Sequence, residues 1–307
     1  MVLSKFDNIV STLQENDFPV EVLAETTAFC NLQCVMCPQK TLTRPKGEMS
    51  FEIFKKIVDE IASVNPSTRL WFAIMGEALL LKDKFVTMVR YAKEKGIVST
   101  NLNTNACLLT PELSDMLIDA GLDEIIIGLD AFTGETYKKI RIGGDFEKTL
   151  SNIMYLIDAK KRKHSDKPHV LLQYIIMDEN EHEVEAFRNF WIDKGVDLKI
   201  RQKVAWGNAI QADNLNLSDG DRTFPCPMIV RNCAIHWDGT IAHCSDADFD
   251  GQYPAGDIKT QSIKEVWNGE LKLRREKHWN LDFSHPLCRK CKDWQIGRSN
   301  FVYADSK

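Results

Sequence analysis

The sequence predicts an α/β fold with a smaller cysteine-rich region at its carboxyl end. Up to about residue 210, short apolar segments with strand character alternate with longer segments of helical periodicity. After that point the alternation stops, and cysteine, glycine and proline shape the pattern. Strands that alternate with helices pair in parallel through right-handed crossovers, so we expect a parallel sheet built from six βα units.

The six predicted strands are apolar runs bounded by polar or turn-forming residues. In parallel βα architectures, ligands bind at the carboxyl ends of the strands, so the residues that follow each run are the candidate site. The runs are Glu21–Thr27, Arg69–Met75, Ser99–Asn105, Glu124–Asp130, His169–Ile176 and Leu198–Ala205.

The helices between these strands carry start and stop residues. Ser50 is an N-cap candidate for a helix that begins at Phe51, and Thr110 with Pro111 begins another. Glycines close three of the segments, as expected at helix carboxyl ends. The remaining predicted helices are Lys82–Lys95, Phe146–Lys163 and Glu181–Lys194.

Composition narrows the class of protein before any motif is considered. A chain of 307 residues can form one large or two modest domains, and a net charge of −5 offers no basic field for nucleic acid or anionic membranes. No run is long and apolar enough to span a membrane, and residues 1–20 lack a signal-peptide pattern. An odd count of nine cysteines favours metal ligands in a reducing compartment over disulfides. We therefore expect a cytoplasmic protein without nucleic-acid or membrane partners.

Three cysteines follow the first predicted strand within one short run. The sequence FCNLQCVMCP contains Cys30, Cys34 and Cys37 in the spacing C-x3-C-x2-C. Three thiolates leave one iron of a [4Fe–4S] cluster open to a small molecule, so the spacing predicts a reactive metal site. Zinc is the alternative, but tetrahedral zinc needs a fourth ligand, and none lies close in sequence.

This run resembles the signature of the radical S-adenosylmethionine (SAM) enzymes. In that family the open iron chelates SAM, and one electron from the cluster cleaves it to methionine and a 5′-deoxyadenosyl radical, which abstracts hydrogen from a substrate. The resemblance implies a partial (β/α)6 TIM-like barrel over residues 21–210, with residues 1–20 as an N-terminal extension. It also implies that Met36, directly before the third cysteine, contacts the SAM adenine.

The resemblance continues after the second predicted strand. Gly76 and Glu77 stand where family members bind the SAM amino group, although Met75 replaces a glycine that many members carry. Arg141 is a candidate for a bidentate contact with the SAM carboxylate.

Two later elements match the family with one departure each. Asn105 lies in a Thr-Asn-Ala run that resembles the family's Thr-Asn-Gly element near the cofactor, with Ala106 in place of the glycine. Gly128 begins a stretch that usually reads Ser-x-Asp-Gly, so the serine hydroxyl is missing here. The resemblance therefore implies Asn105 as a cofactor-binding residue. It also implies that the hydrogen bond from this serine to SAM is either absent in this protein or made by another residue.

Four cysteines near the carboxyl end are spaced for a second metal site. Cys288 and Cys291 form a C-x2-C knuckle, and Cys226 and Cys244 precede it. Four thiolates suit either zinc or a fully ligated iron–sulfur cluster, and composition alone leaves the two open.

The spacing from Cys226 to Cys244 resembles the opening of the SPASM domain of radical SAM enzymes. Full SPASM domains supply further cysteines, whereas none follows Cys291, so residues 211–307 resemble the shortened twitch form with one auxiliary [4Fe–4S] cluster. The resemblance implies all four cysteines as its ligands. Cys233 falls outside the family spacing, and it is either a candidate hydrogen-atom donor or a buried thiol.

A fully ligated cluster transfers electrons and does not bind SAM. We therefore predict a radical SAM oxidoreductase that oxidises an alcohol of a sugar- or cyclitol-like small molecule, similar to the radical SAM dehydrogenases that act on an amino-cyclitol. Lys203 and Arg201, at the end of the sixth predicted strand, are candidates for the base that removes the hydroxyl proton. A reductase or a flavodoxin- or ferredoxin-type protein would supply electrons.

Two alternatives to this function stay open. Many SPASM relatives are maturases that crosslink, epimerise or form a thioether on a ribosomal precursor peptide, and such enzymes often carry an additional peptide-recognition domain. Only about twenty residues precede the first predicted strand here, which is short for such a domain. The non-enzymatic alternative is a metal-binding scaffold, which does not explain why the cofactor candidates fall on one rim of the sheet.

Overall fold

The predicted α/β fold with a parallel sheet is confirmed by a computed structural model, which describes residues 10–210, 222–295 and 300–304. Six strands in this part of the chain form the parallel core. They are β1 (Glu21–Ala24), β2 (Arg69–Trp71), β3 (Thr100–Thr104), β4 (Glu124–Gly128), β5 (His169–Ile176) and β6 (Asp197–Gln202).

Helices connect these six strands, and further helices follow β6. The helices are α1 (Phe51–Val64), α2 (Asp83–Glu94), α3 (Pro111–Asp119), α4 (Gly134–Ile140), α5 (Phe146–Arg162), α6 (Val184–Asp193), α7 (Pro227–Arg231), α8 (Ile263–Asn268) and α9 (Glu270–Trp279). Most of the predicted helix bounds lie within two residues of these. The sequence did not predict α4, because a helix of seven residues has only about two turns in which to show a helical pattern.

The predicted helix caps are present and explain where the helices begin. The Ser50 hydroxyl accepts a hydrogen bond from the Ile53 amide (3.2 Å), and the Thr110 hydroxyl accepts one from Leu113 (3.2 Å). The apolar stripe of α1, including the fully buried Phe54, packs into the main core beneath the sheet. Burying a side chain of this size stabilises the fold by roughly 1.5–3 kcal/mol.

The cysteine-rich region continues the core sheet and does not form a separate one. Among the described residues, the strands follow the order β10-β6-β5-β4-β3-β2-β1-β7-β8-β9, where the new strands are β7 (Asn232–Ile235), β8 (Thr240–Ala242), β9 (Pro254–Asp257) and β10 (Asn300–Val302). β7 pairs in parallel with β1, and β10 pairs antiparallel with β6. The carboxyl-terminal region thus lies along both edges of the six-stranded core. The predicted domain boundary at residue 211 falls in 211–221, outside the described residues.

The sheet is open, because β1 and β6 each pair with carboxyl-terminal strands and not with each other. This agrees with the open partial barrel that the family resemblance implies. In the part of the chain that the structure describes, no helix combines the length and apolar character needed to cross a membrane.

Candidate functional site

The loop that carries the first three cysteines leaves β1 and packs against the loop that leaves β2. Gly76 lies at this contact with a φ of +83°, and a Cβ added to it would stand 2.1 Å from the Thr27 carbonyl oxygen. The Glu77 amide then donates a hydrogen bond to the Phe29 carbonyl (2.8 Å). Only glycine allows this approach, so Gly76 brings the Glu77 side chain to the cysteine loop.

Glu77 is a buried carboxylate at the centre of the predicted rim. Its side chain accepts hydrogen bonds from the Thr104 hydroxyl (2.8 Å) and the Asn105 amide (2.8 Å). Burial raises the pKa of Glu77, and these donors oppose the shift. Within the described residues no ion pair involves Glu77. A buried carboxylate without an ion-pair partner among the described residues suits the positively charged group of a ligand.

Asn105 joins the third strand to the cysteine loop. Its side-chain Nδ2 donates to the Asn31 side chain (2.9 Å), and its side-chain Oδ1 accepts from the Cys107 backbone amide (3.0 Å). The next residue, Ala106, adopts a φ of +58° in the left-handed region that a glycine enters without strain. The alanine therefore takes the backbone conformation expected of the glycine that it replaces.

Arg141 makes its closest contacts with Asp130 and Cys34. Its guanidinium forms a buried ion pair with Asp130, and its Nη1 lies 3.5 Å from the Cys34 sulfur. Burial alone would lower the pKa of Arg141, but the charges of Asp130 and Cys34 raise it. Asp130 in turn accepts from the Ile175 amide (2.6 Å). The sequence suggested a SAM carboxylate as the partner of Arg141, and the structure adds Asp130 and Cys34 as its contacts.

The missing hydroxyl at Gly128 has a steric explanation. A Cβ added to Gly128 would lie 2.2 Å from Nη2 of Arg141. The guanidinium therefore occupies the space that a serine side chain would fill.

The three thiols of the cysteine loop are largely buried, and burial raises the pKa of each of them, that of Cys30 to about 12. The positive charge of Arg141 opposes this rise at Cys34 and Cys37. Thiols in this setting become thiolates when they bind an electropositive centre. Met36, between the second and third cysteine, is buried in a small apolar cluster with Leu32, Ile140, Ile175 and Met177.

The four carboxyl-terminal cysteines converge although they are far apart in sequence. Burial is the main cause of the raised pKa of Cys226, to about 12, and the nearby Cys288 raises it further. The charge of Cys226 likewise raises the pKa of Cys244 and of Cys291. Cys226 is therefore within electrostatic range of the other three thiols, and Cys226 and Cys244 pack with Ile229, Met228 and Trp294.

Two histidines that the sequence reasoning missed stand beside this second site. Nε2 of His243 lies 3.9 Å from the Cys288 sulfur, and its ring stacks on that of His285 at 4.0 Å. Burial lowers the pKa of His243 to about 2, so its ring is neutral. The position of His243 directly before Cys244, and of His285 three residues before Cys288, is the signal that could have identified them.

The spacing of the ligand atoms bears on the choice between zinc and a cluster. Among described residues, the single group of three candidate ligands with all ligand atoms within 4.8 Å of one another is His243, His285 and Cys288. No three cysteines in the described ranges meet this distance, whereas thiolates on one tetrahedral zinc lie roughly 3.8 Å apart. Both cysteine sets are therefore spread more widely than a single zinc ion requires.

Arg201 is within electrostatic range of charged residues at both cysteine sites. Its Nε donates to the Gln173 side chain (3.1 Å), and its Nη1 donates to the Gln202 carbonyl (3.0 Å). Burial lowers its pKa, while Asp130 at the first site and Asp246 beside the second oppose that shift. Asp246, which the sequence reasoning missed, has a pKa raised to about 6 by burial and by Asp293. Charged and hydrogen-bonding groups are therefore associated with both sites.

The other two candidates lie in different surroundings. Lys203 is half-buried in the loop that follows β6. Cys233 is fully buried in β7 within the main hydrophobic core, and the charged groups that act on its thiol are Glu60 and Arg275. The structure does not bring Cys233 to either cysteine site.

Comparison with known proteins defines the family. The model of the radical SAM superfamily matches residues 24–190, more than half of the chain, and the SPASM iron–sulfur cluster-binding domain matches residues 226–292. The chain therefore belongs to the radical SAM superfamily of enzymes and carries a SPASM domain after the radical SAM domain. Membership in an enzyme superfamily excludes the scaffold alternative.

Individual relatives are more distant. The chain is 27% identical over 180 residues to the tungsten-containing aldehyde ferredoxin oxidoreductase cofactor-modifying protein of Pyrococcus furiosus, a match that covers 57% of this chain and 49% of the relative. The chain spans about half the length of the curated relatives it matches.

Two solved structures share the fold. The structure of BtrN in complex with AdoMet and 2-DOIA matches with a TM-score of 0.63 and 17% identity, covering 91% of this chain and 94% of that one. Streptococcus suis SuiB bound to precursor peptide SuiA matches with a TM-score of 0.69 and 12% identity, covering 88% and 70%. At these identities the likeness concerns the fold alone.

Proposed function

We propose that the protein is a radical SAM oxidoreductase that oxidises an alcohol of a sugar- or cyclitol-like small molecule. Cys30, Cys34 and Cys37 would hold a [4Fe–4S] cluster with one open iron, and the other four clustered cysteines would hold an auxiliary [4Fe–4S] cluster. When bound, SAM and the two clusters supply the hydrogen-abstracting radical and the electron acceptor that such an oxidation needs.

The chemistry of the donor set at the first site fits SAM. Glu77, buried and without an ion-pair partner among the described residues, would bind the amino group, and Asn105 would orient the cofactor beside the cysteine loop. Gly76 allows the close backbone approach of the two loops, and Met36 would contact the adenine from its apolar cluster. Arg141 would neutralise the thiolate charge at Cys34 through its contact with that sulfur.

The observation that carries the oxidoreductase assignment is the arrangement of the second site. Four largely buried thiols would ligate every iron of a [4Fe–4S] cluster and leave none open to SAM, and the match of residues 226–292 to the SPASM iron–sulfur cluster-binding domain favours a cluster over zinc. A site of this kind beside the first one suits electron transfer.

Charged residues at the end of β6 would handle the proton of the substrate hydroxyl. Lys203 and Arg201 are the candidate bases, and an amine releases a proton more readily than a guanidinium. Arg201 would therefore bind the hydroxyl oxygen through its remaining N–H groups, and Lys203, as the neutral amine, would take the proton and become an ammonium. A reductase or a flavodoxin- or ferredoxin-type protein would reduce the first cluster.

Peptide maturation is the second candidate, and the TM-score of 0.69 to SuiB bound to its precursor peptide supports it. The match to BtrN supports the small-molecule assignment, because it covers nearly the whole of both chains. Anaerobic assays with a panel of cyclitols and sugars, and with peptides, would discriminate the two. A ketone formed in step with 5′-deoxyadenosine supports oxidation, whereas a crosslinked or epimerised peptide overturns it.

Iron and sulfide analysis after anaerobic reconstitution tests the cofactor content. We expect roughly eight irons in the wild type and roughly four when either cysteine set is replaced by alanine. The variant that lacks the carboxyl-terminal set should still cleave SAM but form no ketone. Four irons in the wild type and none after removal of the first set would refute the auxiliary cluster.

A further inference from the structure

The loop after β6 has an unusual backbone. Trp206, Gly207 and Asn208 take φ values of 51°, 63° and 76°, so three consecutive residues lie in the left-handed region. For Trp206 this conformation is disfavoured, since a side chain at Cβ crowds the following carbonyl, whereas Gly207 and Asn208 are residue types that enter it more readily. Strain of this kind persists only where surrounding contacts hold the segment in place.

One set of these contacts comes from the second cysteine site. The Asp293 carboxylate accepts from the Ala205 amide (2.8 Å) and the Gly207 amide (2.7 Å), and the Asp293 amide donates to the Cys291 sulfur (3.3 Å). The Asn208 side chain donates to the Lys290 carbonyl (3.1 Å). The loop is therefore tied directly to the C-x2-C knuckle.

The other contact reaches the first cysteine site. Nε1 of Trp206 donates to the Met36 carbonyl (3.2 Å), inside the loop between Cys34 and Cys37. The ring of Phe249 packs against the indole edge-on, with ring centroids 6.2 Å apart. One short segment thus contacts Lys290 and Asp293, on either side of Cys291, and also the peptide between Cys34 and Cys37.

We propose that Trp206 is a positioning residue that couples the two sites: it orients the Met36 peptide for SAM from the side of the auxiliary cluster. This inference rests on the proposed function, since it requires SAM at the first site and a cluster at the second. A cluster bound at the second site would hold the C-x2-C knuckle rigid. The hydrogen bonds of Asp293 would then hold the loop after β6 in place, and the Trp206 indole would fix the Met36 peptide. Because coupling between binding sites is reciprocal, SAM in turn favours the order of the knuckle.

The test compares two tryptophans that make the same kind of bond. Trp206→Phe removes the donor to Met36, and Trp237→Phe removes an equivalent bond from Trp237 Nε1 to the Pro45 carbonyl (3.1 Å), outside the cysteine motif. SAM affinity is measured by anaerobic equilibrium binding on reconstituted full-length protein of matched iron content. We expect Trp206→Phe to weaken SAM binding roughly three- to ten-fold, as for one lost hydrogen bond, and Trp237→Phe to leave it within about two-fold.

A double-mutant cycle separates coupling from a local effect. The Cys288→Ala/Cys291→Ala variant should bind SAM more weakly than the wild type, and adding Trp206→Phe to it should cause little further loss. Asp293→Asn, which loosens the same loop at its other end, should weaken SAM binding in the same direction and serves if Trp206→Phe does not fold.

Three outcomes overturn the inference. The first is wild-type SAM affinity in both Trp206→Phe and Asp293→Asn. The second is equal weakening by Trp206→Phe and Trp237→Phe, and the third is full additivity in the cycle. Failure of the proposed function is seen separately, in wild-type protein that holds no auxiliary iron or binds no SAM, and this would remove the inference with it.

Discussion

The two cysteine sites differ in how the chain builds them and in what surrounds them. The first would take its three proposed ligands from one loop, residues 30–37, and charged or amide side chains line it, including Glu77, Arg141 and Asp130. The second would take its four proposed ligands from residues 226–291; apolar and aromatic side chains pack around Cys226 and Cys244, and His243 stands beside Cys288. A buried charge without a partner is costly in an interior, so Glu77 of the first site, which has no ion pair among the described residues, is the feature that favours a charged small molecule there, as we propose.

The largest effect that would test this contrast is expected from the ion pair beneath the first site. Asp130→Asn keeps the shape and the acceptor for the Ile175 amide but leaves Arg141 as an uncompensated buried charge. We expect the free energy of unfolding to fall by about 3–5 kcal/mol in denaturant titrations. Glu135→Gln, in an exposed pair with Lys139, should change nothing measurable. Similar stabilities for the two variants would show that the first site does not depend on buried charge.

Glu77 sharpens the contrast at the level of binding. Glu77→Gln preserves size but removes the negative charge expected to bind the SAM amino group. We expect SAM affinity to fall roughly 10- to 100-fold with the iron content of both sites unchanged, measured by anaerobic binding and metal analysis. Loss of iron from the first site would mean instead that Glu77 supports the cluster loop and not the cofactor.

Gly128 tests whether Arg141 has displaced the hydroxyl that the family resemblance implies at this position. Gly128→Ser forces a Cβ to within 2.2 Å of the guanidinium, and we expect a loss of about 1–3 kcal/mol in stability from overpacking. Gly134→Ala is the matched control, since its added Cβ meets nothing closer than Phe146 at 3.5 Å. A stable Gly128→Ser variant with tighter SAM binding would show that the guanidinium moves away readily.

The smallest effect concerns the second site. We expect the ring nitrogen of His243 that faces Cys288 to donate a hydrogen bond to that sulfur when a cluster is bound. Loss of this hydrogen bond should disfavour the reduced state of the cluster. We expect His243→Leu to lower the potential of the auxiliary cluster by about 20–60 mV in an EPR-monitored titration, with His169→Gln as a remote control. Zinc that binds the wild type and is lost in His243→Leu would indicate a metal site of His243, His285 and Cys288 instead.

Much of the first site follows from local patterns in the sequence. Its three cysteines lie within one loop, and alternating βα units bring Glu77, Asn105 and Asp130 to the same rim because parallel strands end at one edge of a sheet. Spacing within a few residues and strand periodicity are both visible along the chain, so the fold class and the grouping of these side chains could be predicted.

Only the tertiary structure decided which long-range partners meet. Several features join residues that are distant in the chain or depend on side-chain direction. They are the ion pair of Arg141 with Asp130, the pairing of β7 with β1, the histidines beside Cys288 and the hydrogen bond from Trp206 to Met36. Such contacts leave no periodic pattern in a single sequence, because they depend on how distant segments pack against one another in the folded chain. The sequence by itself determined the chemistry of the ligands, and the folded structure determined how the two sites are connected.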